Sequence, residues 1–190
     1  MNIPNKITIF RILCIPFLII ASLVEFRFHW LVALIIYVVA CISDAIDGKY
    51  ARKHELVTDF GKLMDPLADK TLTYAVFLIF TPLGYLSQVA VIIMLAREFL
   101  VSGIRMVATS EGQVIAANMF GKVKTTIQMV STILIFVALF FCEFKGEISL
   151  NEAPMWLNIY ATVAFWLSAI ATMISGIKYT KDGWYLIKSK

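Results

Sequence analysis

Residues Cys41–Lys70 read CISDAIDGKYARKHELVTDFGKLMDPLADK. An apolar run precedes them, HWLVALIIYVVA (His29–Ala40), and another follows, TLTYAVFLIF (Thr71–Phe80). Two such runs joined by a short polar segment predict two antiparallel helices, the end of the first facing the start of the second. At about 100° per residue, Asp44 and Asp47 lie about 60° apart on one helix, and Gly61, Asp65 and Asp69 follow one another at steps of about 40° on the next. Four carboxylates are therefore expected to converge at one end of a helix pair that is otherwise apolar.

The rest of the chain resembles those flanks. Of 190 residues, 60% are hydrophobic, about 114, and 16% are charged; a soluble domain holds roughly 45–50% apolar residues. A membrane-spanning helix takes about 20 residues, so six would use roughly 120. This balance excludes a soluble enzyme, a disordered chain and a disulfide-stapled module. The continuous apolar runs exclude a transmembrane barrel, whose strands alternate. The expected fold is all-α, one membrane domain over residues 1–190 with six transmembrane helices at about 5–24, 30–53, 59–80, 85–110, 119–143 and 155–179. Breaks fall at Val24–His29, at Pro82 and Gly84, at Gly112, and from Glu143 to Pro154.

Charge sets the orientation. With both termini cytoplasmic, only Arg27 and Lys145 of the 17 Lys and Arg fall in outer loops, as the positive-inside rule demands. Glu25, Glu143, Glu147 and Glu152 fall outside, so the net charge of +4 conceals a cationic inner face. Arg11 interrupts the first apolar run and no small-residue cleavage pattern follows it, which makes that run a retained helix; the absence of a transit segment favours a bacterial cell membrane. Cys14, Cys41 and Cys142 lie in apolar runs without metal-ligand spacing and read as small buried hydrophobes.

Four carboxylates at close range raise one another's pKa, and each costs a few kcal/mol at membrane depth. Divalent cations compensate economically. Mg²⁺ or Mn²⁺ prefers oxygen ligands, and two such ions can share bridging carboxylates and clamp a phosphoryl group. Gly48 and Gly61 flank the acids. Glycine costs a helix interior about 1 kcal/mol, and its missing side chain serves either the approach of a flat ligand such as a nucleotide or close helix packing.

The segment Asp44-x-x-Asp47-Gly48-x-x-Ala51-Arg52, eight residues, then Gly61-x-x-x-Asp65-x-x-x-Asp69 resembles the full signature of the CDP-alcohol phosphotransferase family, without departure in type or spacing. That resemblance implies six transmembrane helices, usually in a homodimer, and transfer of a phosphoryl-linked group from a CDP-alcohol to a second alcohol with release of CMP. It implies two divalent ions on Asp44, Asp47, Asp65 and Asp69, with Asp69 also the catalytic base toward the acceptor hydroxyl. It places Gly48, Ala51, Arg52 and Gly61 beside the CDP group. Arg52 pairs with phosphate or lies at the membrane interface. Metal charge on a diphosphate stabilises a transition state that gathers negative charge, and a nearby carboxylate can take the acceptor's proton.

Basic residues outside the signature point to an anionic acceptor. Arg97 and Arg105 stand about 80° apart on the fourth helix, and Lys122 and Lys124 open the fifth. Together they suit a phosphate; alternatively, Arg97 pairs with neighbouring Glu98 or another acid, and the lysines are ordinary inner-loop charges. The segments PNKITIFRI, MDPLADK, AREFLVSGIR and GKVKTTIQM are similar to the bacterial phosphatidylglycerophosphate synthase branch of the same family. That similarity implies CDP-diacylglycerol as donor and sn-glycerol 3-phosphate as acceptor. Asn5, Thr8 and Arg11 are expected at the same inner surface, Asn5 and Thr8 on the nucleotide or as caps of the first helix, and Arg11 on phosphate. The apolar helices keep the donor's acyl chains in hydrocarbon, and no nucleic-acid partner is expected.

Three other readings compete. A cardiolipin synthase of the CDP-alcohol type would take phosphatidylglycerol as acceptor. A transporter would carry polar groups through the membrane depth, yet the run after Lys70 is apolar. A scaffold with a structural metal would need neither the paired glycines nor a cationic pocket.

Overall fold

Long apolar runs without glycine or proline clusters propagate as helices, and the chain breaks where those residues collect. The computed structural model describes residues 3–54, 59–110, 119–146 and 155–188; within these, side chains are described except at 3–4, 45–63, 65–66, 109–110, 119–120, 122, 178 and 181–188. The helices are α1 (Ile3–Leu23), α2 (His29–His54), α3 (Asp59–Phe80), α4 (Gln88–Ser110), α5 (Met119–Lys145) and α6 (Met155–Lys188). All six expected helices are present, and two differ at an end by three residues or more. Helix α4 starts at Gln88 rather than near 85, because Gly84 turns with φ +79° and tucks Tyr85 and Leu86 into the interior. Helix α6 continues to Lys188, past the point where its apolar run ends.

Among the described residues, three helices are long and apolar enough to cross a membrane, over Asn5–Leu23, Val123–Lys145 and Met155–Ile177; α2 has a shorter apolar stretch, His29–Asp44. The membrane-facing character also shows in what is exposed. On α1 the large side chains Phe10, Leu13, Phe17 and Ile20 are 47–62% exposed, while Thr8 and Arg11 are fully buried. On α6, Val163, Leu167, Ile170, Ile174 and Ile177 are exposed, and Ser168, Thr172 and Ser175 are buried. Water would forgo about 3–6 kcal/mol on the α1 stripe alone, at roughly half of full burial for four side chains. Net stabilities of about 5–15 kcal/mol do not tolerate such stripes on several helices. Hydrocarbon outside and small hydroxyl residues between helices make a membrane protein.

The chain divides into two compact units. The first comprises Met1–Leu83 with Ile133–Ala153, and the second Gly84–Thr132 with Pro154–Lys190, so α5 contributes to both. In the first unit, α1 packs against α2 and α3. Its aromatic core centres on Phe136, with ring centroids of Phe80 at 4.9 Å, Tyr37 at 5.8 Å and Trp30 at 6.2 Å. In the second unit α4 packs against α6. Buried Met94 lies at its centre, contacted by the Gln128 amide at 3.1 Å.

The start of α2 is held by a residue from far along the chain. Phe28 turns with φ +66°, and the backbone N–H groups of Phe28, His29 and Trp30 donate to the Glu143 carboxylate at 2.6, 3.3 and 3.4 Å. Helix N-termini leave amides without intrahelical partners and favour negative charge, so one carboxylate serves both needs. Phe28 stacks on Phe144 beside it, and Gly146, with φ +70°, ends α5.

Candidate active site

Among the described residues, each unit holds a cluster of charge. In the first unit, Asn5, Thr8 and Arg11 occur at three-residue spacing on α1 and are all buried. Thr8 lies well inside α1, too far from its start to cap it. Arg11 Nη1 meets Asp44 Oδ1 at 2.6 Å, with the arginine side chain 0% and the aspartate 46% exposed. A buried guanidinium requires such a partner, since an uncompensated buried charge costs several kcal/mol. Arg11, expected on a phosphate, is paired here with a carboxylate of the signature.

Asp69 is exposed on α3, where the carbonyl of its own residue accepts a bond from Thr73 Oγ1 at 3.1 Å. The α2 residue Cys41 lies near these groups. It hydrogen-bonds with Tyr37 and lies within electrostatic range of Asp44, Asp69 and Arg11. This thiol is half-buried, where the sequence reading took it for an ordinary buried hydrophobe. Its position one turn before Asp44 is the signal that would have found it.

Asp47, Gly48, Ala51, Arg52, Gly61 and Asp65 belong to helices whose backbone is described, but their side chains lie outside the described residues, as does that of Lys122. Among the described residues no group of three or more metal-ligand side chains is gathered. The described acids Asp44 and Asp69 are water-accessible carboxylates, which as hard oxygen donors fit Mg²⁺ or Mn²⁺ better than a soft ion.

In the second unit the cations are held by an acid. Arg97 Nη1 donates to Glu98 Oε1 at 2.9 Å, and the Lys124 ammonium meets that same oxygen. Arg97 Nη2 donates to Ser175 Oγ at 2.6 Å, and its guanidinium carbon lies 5.7 Å from the Tyr179 ring centroid. Arg97 and Lys124 are both buried. The structure joins these two expected residues through Glu98; the sequence offered the Arg97 pairing as an alternative but read Lys124 in that case as an ordinary inner-loop charge. Arg105 is exposed, about 12 Å further along α4 at 1.5 Å per residue. Ser175, Gly176 and Tyr179 on α6 escaped the sequence reading, because small residues and a lone tyrosine in an apolar helix look like ordinary packing.

Comparison with known proteins bears directly on both clusters. Residues 1–174 match the family model described as CDP-alcohol phosphatidyltransferase. Similar proteins include the CDP-diacylglycerol–glycerol-3-phosphate 3-phosphatidyltransferase of Bacillus subtilis, 35% identical over 99% of this chain and 98% of the relative. Proteins of the same name from Rickettsia felis and Mycoplasma pneumoniae are 33% and 31% identical, covering 95% and 100% of this chain and 94% and 90% of their own lengths. The match spans all four signature aspartates and the Arg97, Glu98 and Lys124 group, and with it the chain belongs to the CDP-alcohol phosphatidyltransferase family.

Proposed function

We propose that this protein transfers the phosphatidyl group of CDP-diacylglycerol to sn-glycerol 3-phosphate, forming phosphatidylglycerol phosphate and CMP. The observation that carries this reading is the near full-length similarity to relatives named for that reaction, which spans an eight-position signature complete in this chain. The whole chain serves as one membrane domain with six spans, both termini and the site on the cytoplasmic side of a bacterial cell membrane, and it works as a homodimer. Exposed apolar faces on α1 and α6 support its seat in lipid.

The family uses divalent metal ions. Asp44, Asp47, Asp65 and Asp69 would hold two of them, Mg²⁺ or Mn²⁺, which when bound supply positive charge to the donor's diphosphate. Asp69 accepts the proton of the attacking hydroxyl, a role that its exposure supports. Asn5, Thr8, Gly48, Ala51, Arg52 and Gly61 border the CDP group. Arg11 holds Asp44 in position, which its 2.6 Å contact favours over a direct grip on the acceptor. Arg97, Arg105, Lys122 and Lys124 form the cationic pocket for the acceptor's phosphate, and the cation-rich composition of their unit supports it. Attack by the hydroxyl oxygen on the lipid-side phosphorus forms the new ester bond and breaks the bond to the bridging oxygen, which leaves with CMP.

Purified protein in mixed micelles with CDP-diacylglycerol and Mg²⁺ or Mn²⁺ tests the reaction. Glycerol 3-phosphate, phosphatidylglycerol, inositol phosphate and serine are offered separately, and CMP and lipid products are followed. CMP release with phosphatidylglycerol phosphate formation is expected from glycerol 3-phosphate alone, and is abolished by a chelator. Turnover with phosphatidylglycerol and none with glycerol 3-phosphate would overturn the assignment.

A further inference from the structure

The second unit contains a feature that the reaction does not itself require: two buried cations share one oxygen of Glu98. Arg97 is fastened on several sides. Its Nη1 and Nη2 are engaged by Glu98 and Ser175, its guanidinium lies near Tyr179, and its aliphatic stem crosses α6 at Gly176. A Cβ at Gly176 would stand 2.8 Å from Arg97 Cγ. That contact falls near the root of the side chain, so the whole arginine would have to move to relieve it. The glycine is thus a seat for this arginine.

We propose that Arg97 is an anchor and Glu98 a positioning residue that together set the Lys124 ammonium for the phosphate of an anionic acceptor, with Gly176 and Ser175 as the back wall of the anchor. This inference rests on the proposed acceptor chemistry and assigns the parts within its pocket. A lysine has a flexible four-carbon stem and about 2 kcal/mol of rotamer entropy, which weakens any contact formed only on ligand arrival. Fixing the ammonium in advance removes part of that cost. A guanidinium held by a carboxylate and a hydroxyl, with its stem seated at Gly176, fits an anchor. Glu98, with one oxygen between two cations, transmits the position of Arg97 on α4 and α6 to Lys124 on α5. It also keeps two like charges from repelling at close range.

The test compares steady-state kinetics of the full-length protein and its variants in mixed micelles, with each substrate varied in turn. Glu98→Gln retains the shape and removes the charge; it is expected to raise KM for glycerol 3-phosphate about tenfold, the order of one lost charge-assisted contact. KM for CDP-diacylglycerol stays within about twofold, and kcat falls by less than KM rises. Glu98→Asp restores the charge and recovers part of the loss. Gly176→Ala, on a different helix and with no charge change, is expected to produce the same acceptor-selective rise by displacing Arg97. If Glu98→Gln fails to fold, Gly176→Ala and Ser175→Ala give the same comparison. An equal rise in both KM values, or a loss of active enzyme with both KM values unchanged, would overturn the positioning role. Wild-type turnover with glycerol 3-phosphate separates the two levels: its absence refutes the acceptor reading beneath the inference, and its presence with unselective variants refutes the inference alone.

Discussion

The two units have nearly the same apolar construction and opposite charge. Met1–Leu83 with Ile133–Ala153 contains ten Asp and Glu against nine Lys and Arg, whereas Gly84–Thr132 with Pro154–Lys190 contains three against eight. The net charge of +4 is therefore the sum of −1 and +5. Each unit also buries an arginine, and each does so differently. Arg11 reaches from α1 to a carboxylate on α2, whereas Arg97 takes the carboxylate next to it in sequence and continues to α6. In the first unit a cation steadies an acid; in the second an acid steadies cations. The difference fits the two tasks proposed above, carboxylates in one unit for metal and proton transfer, cations in the other for phosphate.

Variants in the two units should therefore fail in different kinetic terms. The largest effect is expected from Asp69→Asn, which removes the proposed proton acceptor with little change in shape. Turnover should fall by about 10²–10⁴, the usual contribution of general-base catalysis, while the protein retains its thermal unfolding profile. Near-normal turnover would end the assignment of Asp69 as base. A smaller, differently placed effect is expected from Arg105→Ala: a rise of about five- to tenfold in KM for glycerol 3-phosphate, with KM for the lipid donor little changed. Equal changes in both would blur the division between the units. The smallest effect belongs to Glu143→Ala, far from both clusters in role. Loss of a carboxylate from three amides should lower stability by about 1–2 kcal/mol, read as a lower unfolding temperature in detergent, with unaltered KM values.

What the sequence revealed followed from one-dimensional pattern. Six helices were legible because apolar runs end at Gly, Pro and polar clusters, and α3 was legible at both ends. The ends of α4 and α6 were not, for opposite reasons. Tyr85 and Leu86 are apolar because they are buried in a turn, whereas the last residues of α6 remain helical after their hydropathy has fallen. The four signature aspartates were legible because acids are scarce in apolar helices. Their surroundings were less so: the contact of Arg11 with Asp44 spans 33 positions, and no periodicity encodes which helices pack together. Glu98 was visible as a neighbour of Arg97, but its hold on Lys124 and the seat at Gly176 depend on how α4, α5 and α6 meet.

The clamp at the start of α2 also bears on the order in which the protein is made. A chain grows from its N-terminus, so Phe28, His29 and Trp30 emerge more than a hundred residues before Glu143. During that interval the amides at the head of the acid-bearing helix rely on water. Synthesis of α5 supplies their carboxylate and turns a provisional helix end into a fixed one. The first unit is therefore closed late, by a segment made after much of the second, and a chain stopped before Glu143 would leave α2 without its clamp.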